Sequence, residues 1–163
     1  FMPVFGINNA AISILAFNYG ARKPQRITDT LKVSACSALV IMLLGLAAFQ
    51  LVPDLLLGIF NPSDEFLVIG RSALRTISLS FPLAAIGIAL SASFQALGSG
   101  IYSSITSLCR QLVVLLPAAF LLSLSGNVNA VWWSFPIAEV ASILLILLLY
   151  ARIYKKKIRP LFD

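Results

Sequence analysis

The chain carries one carboxylate, Glu139, in the middle of a long apolar run. It lies eight residues after Val131, which is about 12 Å along an α-helix. A carboxylate at that depth in a membrane is costly unless it meets a partner or a water-filled cavity. Glu139 is therefore a candidate for proton or cation coupling or for contact with a cationic substrate. The alternative is a structural pair with a neighbouring helix.

Other polar residues in apolar runs have helical spacing. Asn9 and Ser13 share a helix face, with Asn8 beside it, and this face could line a cavity or form interhelical hydrogen bonds. Gln95 is open to the same two interpretations. A further polar stripe consists of Ser103, Ser107, Arg110 and Gln111. Because Arg110 is only about two turns inside its run, we expect it to extend toward the cytoplasmic surface.

The residue inventory argues against an enzyme. Histidine is absent, which excludes a Ser-His or Cys-His nucleophile pair and a histidine metal site. Cys36 and Cys109 lie in apolar runs, where we expect small buried side chains rather than a disulfide. Every lysine lies outside the apolar runs, so no spacing suggests a Ser-Lys hydrolase. We expect no catalytic residue, no metal site and no cofactor.

The composition requires a membrane. Of the 163 residues, 60% are hydrophobic and 11% are charged, and the mean hydropathy is +0.97. A soluble domain is about half apolar and about a quarter charged. A fold of this size could not bury so much apolar surface. An ordinary cytosolic enzyme, a nucleic-acid-binding domain and a disordered chain are excluded.

The apolar runs predict an all-α membrane protein. Each run is about the 20 residues that a membrane helix needs, and none alternates as a β-barrel strand would. The five predicted spans are about 2–19, 33–52, 77–97, 104–124 and 131–151.

The charge distribution predicts the orientation. Ten basic residues lie on the side of the C-terminus, and only Arg71 and Arg75 lie on the other. The positive-inside rule then places the C-terminus in the cytoplasm and Phe1 outside. The net charge of +6 thus indicates topology and contact with lipid, not nucleic acid. We divide the chain into a transmembrane part, 1–151, and a basic cytoplasmic tail, 152–163.

Breaker residues interrupt the runs. Asn61-Pro62-Ser63 ends one segment, and Ser63 is a predicted N-cap for a short amphipathic helix at the outer interface, running into the third span. Tight turns are expected at Gly98-Ser99-Gly100 and Gly126-Asn127. Three prolines should each free the carbonyl four residues earlier and bend their helix. The prolines are Pro82, Pro117 and Pro136, and the carbonyls that they leave without a donor belong to Ser78, Val113 and Trp132, respectively.

Several strings resemble the multidrug and toxic compound extrusion (MATE) transporters. The string from Asn18 through Gly20 to Arg22 is similar to the segment that closes a helix there, and 5–11 looks like the bacterial form of that helix. The resemblance makes these three residues candidates for a structural or gating role, together with Arg110 and the three prolines. The remaining strings follow in family order and cover nearly the whole chain: 57–61, 94–98, Arg110-Gln111 with Pro117, and 132–139.

The resemblance implies twelve helices in two six-helix lobes, of which this chain would supply helices eight to twelve. No basic stretch precedes the apolar run at Phe1, so we expect that residue to be the cut end of a longer protein. The missing N-terminal lobe would be a partner within the same polypeptide. The implied location is the bacterial cytoplasmic membrane.

The family's activity implies export of organic, often cationic amphipathic compounds by alternating access, driven by sodium or protons. The third span contains no Asp or Glu, unlike family branches with an acidic residue there, so we expect the coupling ion in the missing N-terminal lobe. Glu139 matches the common acidic position of helix twelve. The alternatives are a lipid-linked oligosaccharide flippase of the same superfamily and a non-transporting membrane scaffold.

Overall fold

A computed structural model describes residues 1–61 and 63–162 of the chain. Every element in this part is helical, which confirms the predicted all-α class. Pro62, in the predicted break, and Asp163, at the end of the predicted tail, lie outside the described residues. The α-helices in chain order are α1 (Met2–Gly20), α2 (Pro24–Leu51), α3 (Pro53–Gly58), α4 (Asp64–Ser78), α5 (Phe81–Ala96), α6 (Gly100–Leu108), α7 (Leu116–Ser123), α8 (Val128–Val131) and α9 (Ser134–Ile153).

Two helices continue in a different geometry. A π-helical segment, Cys109–Leu115, joins α6 to α7, so the chain runs as one helix over Gly100–Ser123. After α9, a π segment at Tyr154–Ile158 and a 3₁₀ turn at Arg159–Leu161 extend the helix. The predicted basic tail is therefore helical over most of its length. Its separation from 1–151 as a unit stays a prediction.

Three helices of the described chain are long and apolar enough to cross a membrane: Pro24–Leu51, Gly100–Ser123 and Val128–Leu161. A fourth crossing results if the bent pair α4 and α5 is one span. Helix α1 is not in this group because Asn8, Asn9 and Asn18 lower its hydropathy. The crossing of α1 stays a prediction.

Helix boundaries differ from the predicted second and third spans, and the fifth extends beyond residue 151 to Leu161. Helix α2 begins at Pro24 rather than near Val33, because Arg26 and Lys32 are compatible with a helix even though they lie outside the apolar run. The third span is interrupted before Phe81, and α4 and α5 meet at 46°. This bend confirms the effect predicted for Pro82, which lacks the N–H that the Ser78 carbonyl needs.

The capping and turn predictions are confirmed. Ser63 Oγ accepts a hydrogen bond from the Phe66 amide at 3.4 Å and caps α4. Gly98 and Gly126 both have positive φ, as tight turns of this kind require. Pro136 follows the interruption between α8 and α9, where the Trp132 carbonyl accepts from the Phe135 amide.

Helix α5 lies at the centre and contacts α1, α2, α6 and α9. Its small residues let these helices approach, and Phe94 is fully buried at its end. A first apolar cluster joins that end to α1, α2, α9 and the C-terminal segment through Leu15, Ile27, Leu97 and Ile158. A second cluster joins α1, α2 and the start of α5. Large side chains such as Leu148 face outward, as expected in lipid.

The two clusters define two ends of the molecule. At one end, the Lys157 ammonium donates to the Leu97 carbonyl and to Ser99 Oγ, so the C-terminal segment meets the turn between α5 and α6. At the other end, Arg71 Nε donates to Asp54 Oδ1 at 2.7 Å. The basic connections are thus gathered at one end, the arrangement that the orientation prediction requires.

Candidate functional site

An ion pair between α9 and the π segment forms the centre of the candidate site. Arg110 Nη1 donates to Glu139 Oε2 at 3.1 Å. The Glu139 side chain is 10% exposed and that of Arg110 is 40% exposed. This contact corrects the expectation that Arg110 extends toward the cytoplasmic surface, because the guanidinium instead donates to a carboxylate on the adjacent helix inside the bundle. It matches the structural pairing considered for Glu139.

Gly87 on α5 allows α9 to lie close at this level. A Cβ there would stand 3.3 Å from Ile146 Cδ1 and 3.8 Å from Glu139 Oε1. The first distance is tighter than most Cβ contacts, so an alanine here would require the end of the Ile146 side chain to shift by a few tenths of an ångström. Gly87 therefore helps to position the carboxylate against α5.

The π segment presents Arg110 to α9. A π turn holds more residues per turn than an α turn, and such turns are frequent at functional sites. Pro117 lies just after the segment and supplies no N–H for the carbonyl of Val113. In the π segment before Pro117, the side chains are rotated about the helix axis relative to those of a regular α-helix. The Arg110 side chain is one of these.

A polar cavity of about 210 Å³ lies on one side of the ion pair. Ser91 and Ser103 share a hydrogen bond of 2.7 Å between their hydroxyl oxygens, and Gln95 Nε2 donates to Ser103 Oγ at 3.3 Å. Asn8 Oδ1 is buried and has no hydrogen-bond partner within the described part of the chain. The other polar lining residues are Thr106, Ser107 and Ser142.

An aromatic cavity of about 360 Å³ lies on the other side. Four phenylalanines line it: Phe1, Phe5, Phe81 and Phe135. The rings of Phe1 and Phe81 meet edge to face, with centroids 5.4 Å apart. Gln111 also lines this cavity. Arg110, Glu139, Phe1 and Phe5 line both cavities, so the ion pair lies where the polar and the aromatic cavity adjoin.

The structure brings together Asn8, Gln95, Gln111 and Glu139 of the candidate pathway residues around these cavities. Asn9 and Ser13 are exposed on α1 and line neither cavity, although they do share a face, where Ser13 Oγ donates to the Asn9 carbonyl at 3.5 Å. Their part in transport stays a prediction.

The end of α1 holds the other predicted structural group. Asn18 Nδ2 donates to the Ile14 carbonyl at 2.9 Å. Beyond Gly20, the amide of Arg22 donates to Tyr19, and that of Lys23 to Asn18, with Arg22 in the left-handed region at φ 52°. These two bonds form a Schellman motif that ends the helix. Any gating role of Asn18, Gly20 or Arg22 stays a prediction.

Sequence reasoning did not single out several lining residues. Ser91, Ser142 and the four phenylalanines lie on different helices, and only packing shows that they face common spaces. Within residues 1–61 and 63–162, no group of three His, Cys, Asp or Glu side chains could hold a metal ion.

The chain matches known proteins over most of its length. A family model described as MatE matches residues 1–121. The multidrug export protein MepA of Staphylococcus haemolyticus is 26% identical over 149 residues, which cover 91% of this chain and 32% of that protein. The chain thus spans about a third of the length of the curated relatives it matches.

Solved transporter structures are similar to this fold, and two of them illustrate the likeness. The MATE multidrug transporter DinF-BH in complex with R6G gives a TM-score of 0.86 at 30% identity, covering 96% of this chain and 35% of that one. An inward-facing multidrug resistance transporter of the MOP superfamily gives 0.87 at 23% identity, covering 98% and 37%. The second likeness bears on the fold alone.

Proposed function

Because the chain belongs to the MATE family of transporters, we propose that it is part of the C-terminal lobe of a longer multidrug efflux protein that exports organic, amphipathic cations. The observation that carries this proposal is the pair of cavities that meet at Arg110 and Glu139. Four aromatic rings suit the apolar body of such a compound, and a buried carboxylate suits its positive charge.

The proposed mechanism is alternating access. A substrate or ion drives such a switch only if it binds the two states with different affinity. We propose sodium or protons as the coupling ion, bound in the missing N-terminal lobe, since the third predicted span of this chain contains no Asp or Glu. The proposed orientation has the C-terminus in the cytoplasm of a bacterium.

The flippase alternative receives less support. Phosphate recognition favours arginine with its donors available. Arg110 is the one basic residue lining the two cavities in the described part, and it already donates to Glu139. A membrane scaffold is disfavoured because it has no need for a polar and an aromatic chamber.

Proteoliposomes containing the full-length polypeptide test the proposal. We expect an imposed sodium or proton gradient to drive movement of tetraphenylphosphonium, an aromatic organic cation. Vesicles without a gradient, and vesicles holding only the 163-residue chain, are the controls. The efflux proposal is wrong if neither gradient moves this cation or a second aromatic cation.

The same assay tests the site. Glu139→Gln should raise the KM for tetraphenylphosphonium by about tenfold, because Glu139 is the one acidic residue that lines the two cavities among the described residues. Glu65→Gln, at the exposed start of α4, is the matched control and should transport normally. Normal KM in Glu139→Gln would place substrate recognition elsewhere in the protein.

A further inference from the structure

The ion pair has a geometry that favours exchange. Arg110 makes one hydrogen bond to Glu139, through Nη1, rather than the two parallel bonds of a bidentate pair. A carboxylate can accept about four hydrogen bonds, and no other donor reaches Glu139 among the described residues. A single hydrogen bond is weaker than a bidentate pair, and it leaves the other carboxylate oxygen of Glu139 available to a competing cation.

We propose that Arg110 is a tethered counter-ion: its guanidinium pairs with the Glu139 carboxylate when no substrate is bound, and the positive group of the substrate displaces it. Arg110 is then a specificity-determining residue: it sets both the affinity for cations and the rejection of anions. This inference rests on the proposed efflux function and deepens it by assigning the charge selection to this pair.

The unequal burial of the partners decides which one moves. Glu139 is 10% exposed and Arg110 is 40% exposed. An incoming cation that replaces Arg110 keeps the buried carboxylate paired and releases the more accessible partner. An incoming anion that binds Arg110 leaves the buried carboxylate without a counter-charge, which is the costlier outcome. The site therefore favours cations over anions of the same shape.

The polar cavity provides an alternative position for the displaced guanidinium. Asn8 lines the cavity that Arg110 also lines, and its Oδ1 is a buried acceptor with no donor in the described part of the chain. A guanidinium has five N–H groups and needs acceptors. The unused oxygen of Asn8 meets that need, so we assign it to the released state of Arg110.

Binding of tetraphenylphosphonium to the purified full-length protein, measured by equilibrium dialysis, tests the exchange. Removing the tethered competitor in Arg110→Gln should tighten binding about five- to tenfold, whereas Arg110→Lys, which keeps a competing cation, should stay near wild type. Glu139→Gln should weaken binding about tenfold, and Arg110→Gln should give no gain in that background. Unchanged or weaker binding by Arg110→Gln overturns the inference.

A second measurement needs no variant. Tetraphenylborate carries the same four phenyl groups with a negative charge. Wild-type protein should bind tetraphenylphosphonium at least about tenfold more tightly than tetraphenylborate, each measured separately. Equal binding of the two ions would overturn the inference even if Arg110→Gln failed to fold.

Three further variants test the acceptor role of Asn8 and the effect of net charge. Asn8→Leu should weaken cation binding about threefold because the released guanidinium loses its acceptor, while the exposed Asn129→Leu should have no effect. Lys155→Gln removes one exposed positive charge and controls for net charge.

If wild type transports the cation but Arg110→Gln does not tighten binding, only this inference fails. Absence of any transport instead contradicts the proposed function.

Discussion

Glu139 and Arg110 cancel each other's charge where the polar and aromatic cavities meet. A single charge in the interior of a membrane protein is costly, and pairing reduces that cost. The partners contribute unequally because Glu139 is the more buried of the two. Glu139 lies against Gly87 of α5, and Arg110 leaves from the π segment that packs on α9.

The pair predicts an asymmetry in stability. Arg110→Gln should lower the free energy of unfolding by about 1–2 kcal/mol because it leaves a buried carboxylate unpaired. Glu139→Gln should cost less, about 1 kcal/mol or below, because the remaining guanidinium is half-exposed. Thermal unfolding of the detergent-purified protein measures both, with the exposed Arg152→Gln as control. A larger loss in Glu139→Gln would contradict the role given to burial.

At the scale of elements, two helices end in the same way. The amide of Ser99 donates to Phe94 and that of Gly98 to Gln95, so α5 closes in a Schellman motif like that of α1. Gly98 fills the left-handed position at φ 65°, which Arg22 fills in α1 at φ 52°. The turn after α5 then meets the C-terminal segment.

Gly98 and Gly100 form a matched test of this turn. Gly98→Ala should destabilise the protein by about 1 kcal/mol, because a Cβ is disfavoured at positive φ. Gly100→Ala should be neutral or stabilising, since it lies at the start of α6. A Cβ at either position meets nothing within 4 Å, so the difference isolates the backbone. Equal effects of the two substitutions on the unfolding temperature would contradict this interpretation.

The C-terminal segment makes a second contact that can be tested at this scale. Lys157→Met should lower the free energy of unfolding by about 1–2 kcal/mol, because the ammonium donates to the Leu97 carbonyl and Ser99 Oγ at the end of α5. Lys156→Met, at an exposed neighbouring position, should change it little. The Lys157 variant should also be cleaved faster by trypsin near the C-terminus. Equal stability of the two variants would show that the hydrogen bonds of Lys157 to the end of α5 do not stabilise the protein.

At the scale of the whole molecule, α5 is the central element and the apolar surface faces outward. The α1–α2 connection, the α5–α6 turn and the C-terminal segment meet at one end, where Ile158, Leu97 and Ile27 share a cluster. The Asp54–Arg71 pair lies at the other end. The charge difference between these ends supports a fixed orientation in the membrane.

Cysteine labelling tests that orientation. The background for this test carries Cys36→Ala and Cys109→Ala. In it, the cysteine introduced by Lys156→Cys should react with a membrane-impermeant maleimide only after the cells are permeabilised. Asn127→Cys should react in intact cells, because it lies at the opposite end. Both positions are exposed, so reactivity reports the side of the membrane. The reversed pattern would invert the proposed topology.

Local signals predicted much of the fold. Ser63 capped a helix, Gly98 and Gly126 turned the chain, and Pro82 bent it, because each effect depends on a residue's own backbone or its near neighbours. The start of α2 and the continuation of α9 were missed. Hydropathy identifies only the apolar part of a helix that lies in the lipid. The helical turns beyond that part are charged, so their hydropathy does not distinguish them from loops.

The sequence alone determined that this is an all-helical membrane protein, that it resembles the MATE family, and that Glu139 is its one deep carboxylate. These properties are additive or local, so residue types and spacing suffice to specify them. Only the tertiary structure decided that Arg110 turns to Glu139, that Asn8 faces a polar cavity while Asn9 does not, and that four phenylalanines share an aromatic one. The physical reason is that such contacts depend on how separate helices rotate and approach, and the small residues of α5 and the π segment set that geometry together.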